Sequence, residues 1–138
     1  MIAVSSVFMY VTMYLNTYSI DHVFFSETRM YMTLLMTAVM AIVMLFFMRS
    51  MYTHKKTNQL IVGGSVGLFL LALFLVRSQV LVDDVDYMEA MIPHHSIAIL
   101  TSERAEISDP RVRQLADEII EAQRKEIAEM KTLIKDLE

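Results

Sequence analysis

The chain has 138 residues, of which 55% are hydrophobic and 20% are charged, and its formal net charge is −4. This composition is too apolar for a disordered chain and for an ordinary soluble domain of this size. The absence of cysteine excludes disulfide scaffolds, thiolate zinc sites, iron–sulfur clusters and cysteine nucleophiles. Methionine is unusually frequent, with 13 residues, and 3 glycines and 2 prolines argue against a turn-rich all-β fold.

Charge and polarity divide the chain near residue 82. Residues 1–82 carry a net charge of +3 and are mostly apolar, whereas residues 83–138 carry −7 and are amphipathic. We therefore predict two domains with these bounds: a methionine-rich apolar domain followed by a charged, amphipathic helical domain. Because an acidic C-terminal domain does not suit a phosphate backbone, nucleic-acid binding is not expected.

Three uncharged segments of the first domain predict transmembrane helices. Residues 30–48 and 60–76 contain no charged side chain, and helices of this length cross a hydrocarbon core of about 30 Å. Residues 1–20 are uncharged as well. We expect this first segment to be a retained helix, since a secretory signal peptide would have a basic start and a cleavage site. A lipid bilayer is thus a predicted partner.

The charges of the loops predict the orientation in the membrane. Residues 49–59 carry three basic side chains and no acidic one, whereas residues 21–29 carry two acidic and one basic. The basic loop is expected on the cytoplasmic side. This places the N-terminus inside and residues 77–138 on the far side, which in a bacterium means the inner (cytoplasmic) membrane with a periplasmic or extracellular C-terminal domain.

Methionines recur at every fourth position of the second predicted span. Neighbouring members of such a row touch on a helix surface. Two interpretations remain open: adaptable helix packing, for which methionine is well suited, and a ladder of thioethers that passes a soft cation such as Cu(I) or Ag(I). In the second interpretation the metal path consists of Met32, Met36, Met40 and Met44.

The C-terminal domain is predicted to be an antiparallel hairpin of helices at residues 83–106 and 109–138. Asp109 followed by Pro110 is typical of a helix start, and apolar residues at alternating spacings of four and three from Ala116 predict a packing seam. Two helices of this length do not close a core alone. We therefore expect a homo-oligomer, formed through the hairpin and the transmembrane helices, that completes a four-helix bundle.

Candidate metal ligands lie in the first helix of the hairpin. Met88, Met91 and His95 share one helix face at spacings i, i+3 and i+7, and His94 flanks that face. Two thioethers and two imidazoles form a soft-to-borderline donor set that suits copper better than magnesium or calcium. Ordinary core packing of these side chains is the alternative interpretation, and both remain open on the residues alone.

The second helix repeats this spacing with Gln123, Glu126 and Met130. In an antiparallel hairpin this face meets the first one, so Met130 would add a third sulfur. Glu126 would hold an imidazole N–H as an outer partner of the metal site, and Gln123 would stand beside it. His22 and His54 lie in predicted loops, and no role follows for them from the sequence.

Two motifs of the hairpin resemble the bacterial domain of unknown function 305 family. The core Met-x-x-Met-Ile-Pro-His-His stands at residues 88–95 and the element Gln-x-x-Glu-Ile-x-x-Met at residues 123–130. The resemblance covers about residues 84–138 and implies a ferritin-like bundle of helical hairpins, with some members similar to periplasmic copper-binding and copper-resistance proteins. The membrane half resembles a subgroup with several methionine-rich spans.

The same resemblance implies the ligand set Met88, Met91, His94, His95 and Met130. Many members carry methionine where this chain has Thr101, so one sulfur of the family pattern is missing here. The fold expected overall is all-α, with three transmembrane helices followed by an exposed antiparallel hairpin.

These observations predict a membrane-anchored copper-binding protein of the cell envelope that buffers copper, hands it over or confers resistance. Cu(I) is favoured, with Cu(II) or Ag(I) as alternatives. A second hypothesis is a copper transporter or channel that uses the methionine ladder, and a third is a structural membrane protein whose methionines scavenge oxidants. We do not expect an enzyme, because the chain lacks Glu-x-x-His and His-Glu-x-x-His pairs, a phosphate loop and a Gly-x-Ser-x-Gly motif.

Overall fold

A computed structural model of the protein describes residues 1–137, and these residues are all-α. A single turn of 3-10 helix at Ile20–His22 precedes the second α-helix. The α-helices in chain order are α1 (Ile2–Thr12), α2 (Glu27–Phe47), α3 (Lys55–Ser78), α4 (Asp84–Arg104) and α5 (Pro110–Leu137).

The chain forms two compact units. The N-terminal unit consists of Met1–Val11 and Thr28–Leu81. The hairpin unit consists of Thr12–Glu27 together with the residues from Val82 onward. Thr12–Glu27, which we call the connector, was assigned by the sequence analysis to the first domain, and its contacts with the hairpin are described below.

In the N-terminal unit, α2 and α3 are long and apolar enough to cross a membrane by length and composition. They have 21 and 24 residues, with mean hydropathies of 2.2 and 2.3 over their most apolar windows. The hydroxyl of Thr28 donates to Oε1 of Gln79 at 3.1 Å. This hydrogen bond joins the start of α2 to the residue that caps the end of α3.

The predicted first span is wrong as a full-length helix. We expected a transmembrane helix over residues 1–20, but only the 11 residues of Ile2–Thr12 are helical, which is about 16 Å or half of a hydrocarbon core. Beyond them the chain turns, and the hydroxyl of Thr17 donates to the carbonyl of Tyr14 at 2.9 Å. Such side-chain bonds compete with helical ones. Residues 1–137 therefore contain two candidate spans instead of three.

In the hairpin unit, α4 and α5 pack along each other in opposite directions. Both helices agree with the predicted ranges within a few residues. Their core consists of Met88, Ile92, Ile99, Ile127 and Ile134, each less than a tenth exposed. Burial of these side chains is the main contribution of the contacts between α4 and α5 to the stability of the hairpin.

Both hairpin helices begin with aspartate caps. The carboxylate of Asp83 accepts the N–H of Asp86 at 3.0 Å, and the carboxylate of Asp86 accepts the N–H of Asp83 at 3.2 Å. This reciprocal pair is a capping box. At the second helix, Oδ1 of Asp109 accepts the N–H of Arg111 at 2.8 Å, and Pro110 is the first helical residue, as the sequence predicts.

The connector packs against the hairpin. The N–H of Tyr18 donates to Oγ of Ser96 at 2.7 Å, and Nζ of Lys131 donates to Oδ2 of Asp21 at 2.6 Å. Phe24 lies against the hydrophobic core. A segment of the same chain thus covers part of the surface that two helices alone leave open, whereas the predicted homo-oligomer stays a prediction.

Candidate functional site

A groove of about 600 Å³ lies between α4 and α5, and we call it the α4–α5 groove. Four of the five predicted ligands line it, and they come from both helices: Met88, Met91, His95 and Met130. Met88 is buried, while Met91, His95 and Met130 are half-buried. The helical spacings that placed Met88, Met91 and His95 on one face, together with the antiparallel packing, bring three thioethers and one imidazole to the same groove.

His94 does not share this groove. It is exposed, and its ring centroid lies 6.1 Å from that of His95. Successive residues of a helix point about 100° apart, so His94 and His95 face different directions. Only His95 lines the groove with the methionines.

Both ring nitrogens of His95 contact oxygen atoms. Nδ1 lies 3.0 Å from the carbonyl oxygen of Met91, and Nε2 lies 2.8 Å from Oε2 of Glu126. A carbonyl and a carboxylate only accept hydrogen bonds. Each contact is therefore a hydrogen bond only from a ring nitrogen that carries a proton.

Glu126 has a second partner in the predicted set. Nε2 of Gln123 donates to the same carboxylate oxygen at 3.3 Å. Gln123 itself is half-buried, and it is not among the residues that line the groove. The Glu126 side chain is 50% exposed, so its carboxylate stands at the edge of the groove with a route to solvent.

Three more acidic side chains line the groove beside Glu126, namely Asp84, Glu129 and Asp136. The sequence analysis missed them, although Glu126, Glu129 and Met130 stand at the spacings that place residues on one helix face. Their negative charge favours a cation in the groove. Tyr87, Leu133 and Leu137 supply apolar parts of its wall.

Among residues 1–137, no group of three or more histidine, aspartate and glutamate side chains is arranged to hold a metal ion. The predicted ligands in the α4–α5 groove form a different donor set, because three of these four side chains are thioethers. Thioethers bind soft ions such as Cu(I), whereas oxygen-rich groups bind harder ones. The chemistry of this donor set therefore fits Cu(I) better than a hard divalent cation.

The methionine row of α2 has different surroundings. Met32 and Met36 are 42% and 44% exposed, and Met40 and Met44 are half-buried. Met44 lines a separate cavity of about 200 Å³ with Met1, Leu45 and Tyr52, among others. Two members of the predicted path thus lie on the outer surface of the N-terminal unit.

The connector brings His22, which received no role from the sequence, against α4. Its Nδ1 lies 3.0 Å from Oγ of Ser96, and burial, followed by the charge of Lys131, lowers the pKa of His22. The hydrogen bond from Lys131 holds the pKa of Asp21 far below its usual range. Although Ser96, His22 and Asp21 are neighbours, Ser96 is fully buried and accepts a backbone N–H. These contacts tie the connector to α4 and α5.

Fold and groove define an all-α protein in which two apolar helices precede a helical hairpin with a methionine-lined groove. The family described as a domain of unknown function, DUF305, matches residues 83–138. An uncharacterized protein of Acanthamoeba polyphaga mimivirus is 35% identical over 108 residues, which cover 77% of this chain and 69% of that protein. The chain belongs to the DUF305 family.

The viral relative adds two points. Its aligned region is longer than residues 83–138, so the similarity extends into the methionine-rich first half of the chain. Because this relative is encoded by a virus, the bacterial setting expected from the sequence does not follow from it. No solved structure matches the chain.

Proposed function

We propose that the protein is a membrane-anchored metal-binding protein that holds a soft cation in the α4–α5 groove. The observation that carries this proposal is the convergence of Met88, Met91, His95 and Met130 from two helices on one groove. Cu(I) is the preferred ion, because thioethers favour it, Ag(I) is a second soft ion of this kind, and the imidazole extends the set to Cu(II).

Buffering or handover of the ion agrees with the exposure of the donors. Met91, His95 and Met130 are only half-buried, so an incoming partner or chelator can reach them without unfolding the hairpin. Neutral thioethers bind the ion through several weak contacts rather than one strong one. The site therefore exchanges its ion instead of trapping it, which suits copper buffering, delivery or resistance.

The proposed binding experiment separates the two histidines. The full chain in detergent, under reducing conditions, competes for Cu(I) with a coloured chelator, and His95→Ala is compared with the matched control His94→Ala. We expect His95→Ala to weaken binding at least about tenfold and His94→Ala to leave it unchanged, because only His95 lines the groove. If both variants bind copper as tightly as the wild type, the site assignment is refuted. If the wild type binds no copper, the proposed function is refuted.

The membrane part of the proposal rests on α2 and α3. Since the connector and the hairpin form one unit, the start of α2 and the end of α3 belong on the same side of a bilayer that both helices cross. The short segment between them and the start of α3 carries Arg49, Lys55 and Lys56. We place this basic loop in the cytoplasm and the hairpin unit on the outer face.

The absence of cysteine permits a direct test of this orientation. In intact cells, a membrane-impermeant maleimide is expected to label Glu118→Cys on exposed α5, and to label Ser50→Cys only after lysis. Both positions are exposed in the structure, so burial does not decide the result. The reverse pattern would overturn the orientation, and labelling of both positions in intact cells would contradict a membrane crossing.

A further inference from the structure

We propose that Glu126 is a latch on the α4–α5 groove: its carboxylate occupies the one nitrogen of His95 that an ion can use, and an ion binds by displacing it. The inference rests on the proposed function and concerns how the same site is opened. It starts from the two contacts of the His95 ring, which involve Met91 on its own helix and Glu126 on the opposite one.

Only one ring nitrogen is available to an ion in the groove. Nδ1 of His95 lies 3.0 Å from the carbonyl oxygen of Met91, one turn earlier in α4. This bond fixes the ring on its own helix and leaves Nε2 as the nitrogen that reaches across the groove toward α5. An imidazole whose Nδ1–H is held by a carbonyl coordinates metals through Nε2.

That nitrogen is occupied. Nε2 lies 2.8 Å from Oε2 of Glu126, and the contact is a hydrogen bond only while Nε2 carries the proton. A coordinating nitrogen offers its lone pair to the ion, so it cannot donate a proton to the carboxylate at the same time. The hydrogen bond from Nε2 to Glu126 and a bond from Nε2 to the ion therefore exclude each other, which differs from the supporting role that the sequence suggested for Glu126.

The surroundings of Glu126 allow it to move. Its side chain is 50% exposed, whereas that of His95 is 13% exposed. The amide of Gln123 donates to the same carboxylate oxygen at 3.3 Å and gives the closed position a second contact. Opening thus requires a rotation of one surface side chain and release of the Nε2 proton to the Glu126 carboxylate or to solvent, while the ring and the thioethers stay in place.

The latch has a consequence for selectivity. An ion gains its bond to His95 only after the contact between the ring and the carboxylate is lost. Ions that bind imidazole weakly do not compensate for this loss. Cu(II) stands at the top of the affinity order of divalent first-row metals, so among divalent ions the closed groove favours Cu(II) over more abundant, weaker-binding cations.

The binding test uses the full chain in detergent, with Glu126→Ala and Glu126→Gln compared with the matched control Glu129→Ala. Glu129 lines the same groove on the same helix, so its loss measures the general effect of one negative charge. We expect Glu126→Ala to tighten Cu(I) binding about tenfold relative to Glu129→Ala, the size of one charge-assisted hydrogen bond. Gln123→Ala should tighten binding by a smaller factor.

Two results of this titration overturn different claims. If the wild type binds Cu(I) and Glu126→Ala binds no more tightly than Glu129→Ala, the latch is refuted and the groove site stands. If the wild type does not bind Cu(I), the proposed function falls. In that case the latch is decided by a measurement that needs no metal.

The metal-free measurement uses diethyl pyrocarbonate, which acylates accessible imidazole nitrogens. In a His94→Gln background, mass spectrometry of the peptide containing His95 reports the modification rate. We expect a rate several times higher in Glu126→Ala than in Glu129→Ala, because only the first change uncovers Nε2. Equal rates would overturn the latch, provided that circular dichroism shows equal helix content in both variants.

Discussion

The row of methionines on α2 and the α4–α5 groove show the same regular helical spacing in different surroundings. Met32 and Met36 lie on an apolar helix and are 42% and 44% exposed. The groove methionines face a second helix, with an imidazole and four carboxylates beside them. Regular spacing puts side chains on one face, but a site also needs a second element that brings donors of another kind. The methionine row of α2 has the regular spacing but lacks this second element.

The strongest test of this contrast exchanges methionine for leucine, which has a similar volume, in each region. Met88→Leu/Met91→Leu/Met130→Leu removes three of the four groove donors. We expect Cu(I) binding by the full chain to weaken about 1,000-fold, which corresponds to about 4 kcal/mol. Competition with a Cu(I) chelator measures this change.

The matched control is Met32→Leu/Met36→Leu/Met40→Leu in α2. It should leave the affinity and the copper stoichiometry of the protein unchanged, because these side chains do not line the groove. If the α2 triple variant lost copper and the groove variant kept it, the contrast would be reversed. Such a result would favour the transport hypothesis based on the methionine ladder.

Truncation of an apolar side chain is also expected to affect stability differently in the two regions. Ile92 is fully buried in the hairpin core, whereas Leu71 on α3 is 56% exposed. Ile92→Ala should lower the free energy of unfolding by about 3 kcal/mol through lost burial and the cavity left behind. Leu71→Ala should change it by less than about 0.5 kcal/mol. Chemical unfolding in detergent, followed by circular dichroism, tests this difference, and equal effects would contradict it.

A smaller effect is expected at the start of α4. Asp83→Ala removes the acceptor of the Asp86 N–H and should destabilise the hairpin unit by about 1 kcal/mol. Asp83→Asn keeps a capping oxygen and serves as the control. A thermal melt that is equally shifted in both variants would point to charge rather than capping as the contribution of Asp83.

The smallest predicted effect is a dependence on pH through the connector. Because burial lowers the pKa of His22 in the folded state, the unfolded chain binds the proton more tightly. The contribution of His22 is therefore present above the unfolded pKa of about 6.5 and is lost as the pH falls through the folded pKa. Wild type should lose more thermal stability between pH 7 and pH 5 than His22→Gln, and parallel curves would refute this contribution.

Much of the hairpin could be predicted from the sequence, because local rules determine it. Helical spacing predicts that Met88, Met91 and His95 share a face, and an antiparallel hairpin brings Met130 to them. His94 was assigned to the same set because it flanks that face, and the family pattern supported the assignment. The structure places His94 outside the groove, since the rotation of a helix against its neighbour depends on packing across the whole seam.

The connector could not be predicted in this way. Its contacts are not local: Tyr18 bonds to Ser96 and Asp21 to Lys131, at separations of 78 and 110 residues. No periodic pattern in residues 12–27 marks them. The first predicted span was wrong for a related reason, because absence of charge indicates compatibility with lipid but does not require a helix of full length.

The long separation between Asp21 and Lys131 has a consequence for biosynthesis. The connector leaves the ribosome about 110 residues before its partner in α5, so Phe24 emerges well before all of the core against which it packs has been synthesised. Contacts between distant parts of a chain form late and slowly. Assembly of the hairpin unit therefore follows the emergence of Lys131, and nascent chains stalled before Lys131 should expose the connector to protease, whereas fully folded chains protect it.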